Sequence, residues 1–185
     1  MLTARRTLLI TLSAATAVTL IGPANAASAA KIDREADAAL RKLYATEAKA
    51  RDLSRRAKAI LIFPKIIKAG LVIGGQSGDG VLRVGGRANG YYNISAASYG
   101  LQAGVQSFSY ALFFMTANAV EYLSKSNGWQ LGSGPSVVLV DKGVAAGLTT
   151  TTLTQDVYSF AFGQRGLMAG LGLEGSKITR FQPSA

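Results

Sequence analysis

The sequence contains no cysteine and no histidine among its 185 residues. The absence of cysteine excludes disulfide bonds, a thiol nucleophile and a lipid-modified N-terminal cysteine that could anchor the mature chain. The absence of histidine removes the commonest general base and the commonest ligand of transition metals, so Ser-His-Asp and Cys-His catalysis are excluded. We therefore expect a protein that is not an enzyme, with no cofactor and no metal site.

Acidic residues are also scarce, because 10 Asp and Glu stand against 20 Lys and Arg, which gives a formal net charge of +10. Such an excess of positive charge favours anionic partners, although it can equally serve solubility alone. Asp79, Asp141 and Asp156 fall in predicted turns, where a carboxylate bonds the local backbone. No pattern favours a glycosidase pair of carboxylates, and sequence alone does not give the distance between two such groups.

The first 26 residues have the pattern of a signal peptide. Arg5 and Arg6 form its positive region, residues 8–21 form its apolar region, and Ala24 and Ala26 fit a cleavage site. The apolar region is shorter than the roughly 20 residues that a membrane-spanning helix needs. We expect a periplasmic or exported protein that is peripheral to the membrane, with the Sec and twin-arginine routes both open. Because an exported protein has no routine access to nucleic acid, its partners should be anionic lipid head groups or cell-surface polymers.

Residues 27–60 are expected to form an N-terminal helical arm. Apolar and small residues recur at alternating spacings of four and three from residue 32 to residue 60, which predicts an amphipathic helix over residues 31–60. The stripe consists of Ile32, Ala36, Ala39, Leu43, Thr46, Ala50, Leu53, Ala57 and Ile60. Two interpretations stay open: the helix docks on the domain, or it lies on a membrane with its basic residues at the head groups.

Residues 61–185 are expected to form a β-rich domain, because period-two patterns separated by turn residues replace the helical period after Phe63-Pro64. The predicted strands are residues 68–74, 81–87, 90–94, 99–109, 111–115, 129–131, 136–140, 144–154, 157–162 and 167–173. One helix over residues 118–125, capped by Thr116 or Asn118, interrupts them. The fold class is therefore α+β and mainly β: a curved antiparallel barrel-like sheet with an N-terminal amphipathic helix and one short inserted helix.

Two glycine-rich stretches do not indicate a nucleotide site. Residues 170–175 match the letters G-x-G-x-x-G, but no helix and no acidic residue follow at the required distance. Residues 74–80 lack the lysine of a phosphate-binding loop, and residues 77–80 are predicted to form a hairpin turn, as are residues 163–166.

Residues 58–68 alternate cationic residues with large aliphatic residues and one aromatic residue. This composition is typical of a surface that inserts apolar side chains into a membrane and places lysines at phosphates. The competing interpretation is a buried connection between helix and sheet whose lysines point outward.

Several motifs in roughly residues 58–182 resemble the SYLF lipid-binding domain family. The matching segments are Tyr158-Ser159, residues 166–170, residues 173–176, Gly134-Pro135, residues 100–106, residues 74–82, residues 68–70 and residues 57–64. Residues 92–98 depart from the Trp-Ser-x-Pro-Ser segment of eukaryotic members, and no SH3 or FYVE module is attached, so we expect a stand-alone, exported bacterial member.

The resemblance implies peripheral lipid binding, since eukaryotic SYLF domains bind phosphoinositides with help from an N-terminal amphipathic helix, and fungal relatives also bind actin. By analogy we expect association with anionic phospholipid. The implied lipid-binding residues are Arg55, Arg56, Lys58, Ile60, Phe63, Lys65, Ile67 and Lys68. The alternative is an envelope structural or stress-related protein whose β-domain binds a protein partner.

The signal-peptide interpretation predicts that the mature protein begins at Ala27, because Ala24 and Ala26 supply the small residues that signal peptidase requires. N-terminal sequencing of exported protein measures this directly. Retention of residues 1–26 in the mature protein would contradict export with cleavage.

Overall fold

A computed structural model describes residues 28–70, 73–99, 104–141, 147–148, 154–166, 173 and 175–184 of the chain. The predicted signal peptide, most of the predicted strand 144–154 and nearly all of the predicted strand 167–173 lie outside these residues. None of the described helices is long and apolar enough to cross a membrane.

The N-terminal arm forms two consecutive helices, α1 (Ala29–Thr46) and α2 (Ala48–Ser54). Their buried side chains include Ile32, Ala36, Leu43, Ala50 and Leu53, all from the predicted stripe. The predicted continuous helix is wrong at Glu47, whose φ of −124° and ψ of 97° are extended, and again after Ser54. The helical spacing continues to Ile60, but residue 60 pairs with two neighbouring strands, and tertiary pairing overrides a local pattern.

Eight strands form one strongly curled half-barrel sheet. They are β1 (Ala59–Gly70), β2 (Ile73–Val84), β3 (Arg87–Tyr99), β4 (Gly104–Phe114), β5 (Trp129–Gln130), β6 (Val137–Leu139), β7 (Val157–Gly166) and β8 (Lys177–Phe181). The spatial order is β5-β8-β3-β2-β1-β4-β7-β6. All neighbouring pairs are antiparallel except β6 and β7, which are parallel. The expected α+β, mainly β fold with a curved barrel-like sheet is therefore confirmed.

A third helix, α3 (Ala117–Lys125), follows β4. Of the two predicted caps, Thr116 is correct, because its hydroxyl oxygen accepts a hydrogen bond from the Ala119 N–H at 3.3 Å.

Each face of the sheet is covered by a different part of the chain. On the α1 face, sheet residues such as Ile62 and Phe113 pack against α1 and α2. On the α3 face, Leu61 and Phe63 belong to a second core that includes α3 and Trp129. Because side chains alternate between the faces of a strand, each central strand supplies both cores. Of the two interpretations of the N-terminal arm, the structure therefore shows docking on the domain.

The predicted turn at residues 77–80 is wrong, because these residues lie inside β2 and pair with both β1 and β3. Strand β1 bulges between Ile62 and Ile67, where its register with β2 shifts. A Cβ on Gly80 would lie 2.4 Å from the Ile62 carbonyl oxygen. Glycine here permits close backbone approach rather than a turn.

The hairpin turn of β2 and β3 lies further along, at Gly85 and Gly86, with φ of 58° and 80°. Two successive positive φ values are what a two-residue hairpin of type I′ requires. The predicted turn at residues 163–166 is also wrong, because β7 continues to Gly166 and pairs with β4 up to that residue.

Replacing Gly80 with alanine should lower the free energy of unfolding by about 1–3 kcal/mol, the usual cost of overpacking. The new Cβ would meet the Ile62 carbonyl oxygen at 2.4 Å and the Phe63 ring at 2.6 Å. Gly75→Ala in the same strand is the matched control, because its Cβ meets nothing closer than the Ala96 oxygen at 3.5 Å. Urea unfolding of both variants measures the difference, and equal stabilities would contradict the close-approach argument.

Candidate functional site

Strand β1 places the predicted lipid-binding residues in very different surroundings. Phe63 is 0 % exposed and belongs to the core of the α3 face, so its side chain does not reach the surface of the folded protein. Lys65 and Ile67 are exposed, and Lys68 is half-buried. The bulge brings Lys65 to the surface beside the buried Ile66. The Ser109 hydroxyl fixes this region by donating to the Pro64 carbonyl oxygen at 2.7 Å.

Lys65 lines a cleft of about 420 Å³ between α1 and the sheet. Lys42 from α1 and Arg165 from β7 line the same cleft, and Glu35 is the one acidic residue among its described lining residues. We call Lys42, Lys65 and Arg165 the basic cleft. None of the three forms an ion pair with another described residue. Their positive charges are therefore left for an anion from outside.

Next to the basic cleft lie three large apolar side chains that are exposed. Ile67 is 45 % exposed, Ile73 is 68 % exposed and Val105 is 64 % exposed. Ala69 pairs with Val105 on one side and with Gly75 on the other. Ile67 and Ile73 are each two residues away from members of this row, so all three lie on the same sheet face within reach of one another. We call Ile67, Ile73 and Val105 the apolar patch.

The strand register connects the apolar patch with the basic cleft. Ile67 in β1 pairs with Ser107 in β4, and Ser107 pairs with Arg165 in β7. With strands about 4.8 Å apart, Ile67 and Arg165 lie roughly 10 Å from each other on the α1 side of the sheet. The two features therefore form one continuous surface.

The other predicted residues lie at the opposite end of β1. Lys58 and Ile60 line a separate cleft of about 460 Å³ with Arg41 and Arg83. Ile60 and Lys68 are eight residues apart, which is roughly 25 Å along a strand. The structure therefore separates residues that the sequence suggested as one segment.

Of the cations that line this second cleft, Arg83 is compensated, whereas Arg41 and Lys58 form no ion pair with another described residue. Arg83 is held between Asp33 at 3.5 Å and Asp37 at 2.9 Å. Arg55 pairs with Asp52 at 2.6 Å, and Arg56 is exposed. The second cleft therefore offers less unpaired positive charge than the basic cleft.

Sequence reasoning missed Lys42, Arg165, Ile73 and Val105. Lys42 lies in the predicted helix outside the apolar stripe, and the other three fall in or beside predicted strands. They reach Lys65 and Ile67 only through the pairing of β1 with β2 and β4, the pairing of β4 with β7, and the packing of α1 on the sheet. Strand register is not encoded in any local motif of these segments, so no sequence signal could have identified this surface.

The α3 face contains a further cavity, of about 640 Å³. Its wall includes Tyr110, Ser159, Leu131, Leu139 and Leu173. Burial raises the pKa of Tyr110 to about 12, so its hydroxyl is neutral throughout the physiological range.

Asp156 holds the rim of this cavity together. Its Oδ2 accepts hydrogen bonds from the N–H and the hydroxyl of Ser136, both at 3.1 Å, and its Oδ1 accepts one from Thr116 at 3.1 Å. The backbone bond from Ser136, with the side-chain bonds of Thr116 and Ser136, lowers the pKa of Asp156 below its usual value. One carboxylate therefore links α3, β7 and the segment before β6.

Comparison with known protein families gives a match to one family model. Residues 95–183 match the family model Ysc84, described as "Las17-binding protein actin regulator". This match supports the SYLF resemblance over that segment. It covers most of the structure from the second half of β3 to β8, including Val105, Arg165 and the cavity of the α3 face, whereas β1 with Lys65 precedes it. No curated protein matches the sequence significantly.

Replacing Asp156 with asparagine should lower stability at neutral pH, because three donors lose their charged acceptor. Since the folded pKa is lowered, the carboxylate stabilises the native state above its unfolded pKa of about 3.9, and this contribution is lost as pH falls through the folded pKa. Thermal unfolding of both proteins should therefore show a difference at pH 7 that narrows below about pH 4. A pH-independent difference would contradict this role of the charge.

Proposed function

We propose that this chain, whose residues 95–183 belong to the SYLF (Ysc84) family, is an exported protein that associates peripherally with anionic phospholipid through the basic cleft and the apolar patch. The observation that carries the proposal is their continuity, through the register that joins Ile67, Ser107 and Arg165. The basic cleft matches lipid phosphates, and the apolar patch matches the adjoining acyl region.

Electrostatic attraction supplies the first part of the interaction. A basic residue near an anionic membrane surface contributes roughly 1 kcal/mol, so the three residues of the basic cleft together contribute about 3 kcal/mol. Because these charges have no ion-pair partner among the described residues, binding does not have to break an existing pair first. Such binding is reversible and weakens as salt screens the charges.

The apolar patch supplies the second part. Ile67, Ile73 and Val105 expose apolar area to water, and burial of such area stabilises a complex by about 25 cal/mol per Å². Phe63, which the sequence suggested for insertion, contributes nothing of this kind because it is already in the core. The apolar contact therefore comes from the ends of β1, β2 and β4.

The decisive variant replaces Lys42, Lys65 and Arg165 with glutamine. We expect its partitioning onto vesicles of phosphatidylcholine and phosphatidylglycerol at low salt to fall more than a hundredfold, which corresponds to the loss of about 3 kcal/mol. The matched control replaces Arg55, Arg56 and Lys58 with glutamine, which removes the same charge from the other end of β1. This control should retain much more binding than the decisive variant.

Vesicle cosedimentation measures both variants, after thermal unfolding has shown that each is folded. Equal loss in the two variants would mean that net charge alone drives binding and that the basic cleft is not the site. Binding of the cleft variant at the wild-type level would contradict the proposed surface. Vesicles of phosphatidylcholine alone should bind neither protein well.

Binding of a protein partner is the second candidate function, and the family description as a Las17-binding protein favours it. In that case the chain is an envelope structural or stress-related protein whose apolar patch contacts another protein. Raising the salt concentration separates the two functions, since lipid binding by charge should weaken steeply and an apolar protein interface should not.

A further inference from the structure

The cavity of about 640 Å³ lies on the α3 face of the sheet, on the other side from the basic cleft. It lies between the paired strands β4 and β7 and the chain from Leu131 to Leu139, which leads into and includes β6. This volume is in the range of roughly 300–1,000 Å³ that small-molecule sites occupy.

Apolar side chains dominate the described lining of the cavity. Leu131, Val137, Leu139 and Leu173 contribute to it, and Leu139 is 44 % exposed although it is a large aliphatic residue. Among the described lining residues, none carries a charge. A charged group would meet no counterion among these residues, and burial of an unpaired charge is strongly unfavourable.

Hydroxyl groups form the polar part of the wall. Tyr110, which is 3 % exposed, and Ser159 both line the cavity. The Ser159 hydroxyl donates its proton to the Val138 carbonyl oxygen at 3.2 Å. The Tyr110 oxygen, which has two lone pairs, has the capacity to accept a hydrogen bond from a ligand in the cavity.

The wall opposite the sheet is held in place before any ligand arrives. The Trp129 indole N–H donates to the Ser133 carbonyl oxygen at 2.8 Å, and the Leu131 N–H donates to the Ser176 carbonyl oxygen at 2.8 Å. Asp156 fixes Ser136 at the other end of this segment. A preformed wall lowers the entropy cost of binding.

We propose that this cavity binds an uncharged single-chain lipid with a terminal hydroxyl, which donates to the Tyr110 oxygen while its alkyl chain packs against Leu131, Leu139 and Leu173. The described lining favours a neutral head group over a carboxylate, because it contains no cation and because Asp156, which is bonded to the lining residue Ser136, repels an anion. This site does not depend on the proposed membrane surface, since the two lie on opposite faces of the sheet.

The protein contains its own reporter for this cavity. Trp129 is the single tryptophan of the chain, is fully buried, and holds the wall through Ser133. Titration of the full chain with 1-decanol should change Trp129 emission in a saturable way.

Equilibrium dialysis with labelled 1-decanol measures the same binding without relying on emission. Decanoate, which differs only in its head group, should bind at least about tenfold more weakly at neutral pH.

Two variants test the geometry of the site. Tyr110→Phe removes the acceptor and should weaken decanol binding about two- to tenfold. Leu139→Asp introduces a charge at an exposed lining position and should weaken it about tenfold, with little risk to folding because residue 139 is partly exposed. The matched control is Val105→Asp, a similar change on the α1 face, which should leave decanol binding unchanged.

Failure of this proposal is separable from failure of the proposed membrane function. Leu139→Asp should retain binding to anionic vesicles. Val105→Asp should lose part of its vesicle binding and retain its decanol binding. Absence of saturable decanol binding in dialysis would overturn the cavity proposal, as would wild-type decanol affinity in folded Leu139→Asp. Binding of decanoate as tightly as decanol would overturn the assignment of a neutral head group.

Discussion

The rest of the structure depends on burial of strand β1 on both of its faces. Leu61, Ile62 and Phe63 are each 0 % exposed, with alternate side chains entering the two cores. The strand pairs with β2 on one edge and with β4 on the other. This segment before the bulge has neither a solvated face nor a free edge, so it fixes the positions of its neighbours, because a shift of one residue would exchange the contents of the two cores.

The bulge in β1 changes the strand from a core element into a surface element. Before the bulge, successive residues are buried, and after it Ile67 is exposed. Gly78 and Gly80 in β2 accept the displaced backbone, since a Cβ at either position would approach a β1 carbonyl oxygen within 2.5 Å. The same backbone irregularity thus brings Lys65 to the basic cleft and places Ile67 at the start of the apolar patch.

The two faces of the sheet offer two different kinds of surface. The α1 face carries the basic cleft and the apolar patch, and this combination suits a membrane or another extended partner. The α3 face encloses a cavity with hydroxyl groups and a preformed wall, which suits a single small molecule. Their separation by the sheet allows each to be altered by substitution without directly changing the other.

The sequence by itself determined the α+β class, the apolar stripe of the N-terminal helices, the inserted helix and the family motifs, because these depend on local periodicity or short segments. The turn predicted at residues 77–80 was wrong, because a glycine in the sequence can mark either a turn or a close approach between strands. The sequence also suggested Lys58 and Lys68 as parts of one site, because they belong to one short segment, whereas the extended strand β1 separates them in space. Only the tertiary structure decided which residues share a surface, by joining Lys42, Lys65 and Arg165 from α1, β1 and β7. The physical reason is that strand register and the burial of Phe63 arise from pairing between segments far apart in the chain, which no local pattern specifies.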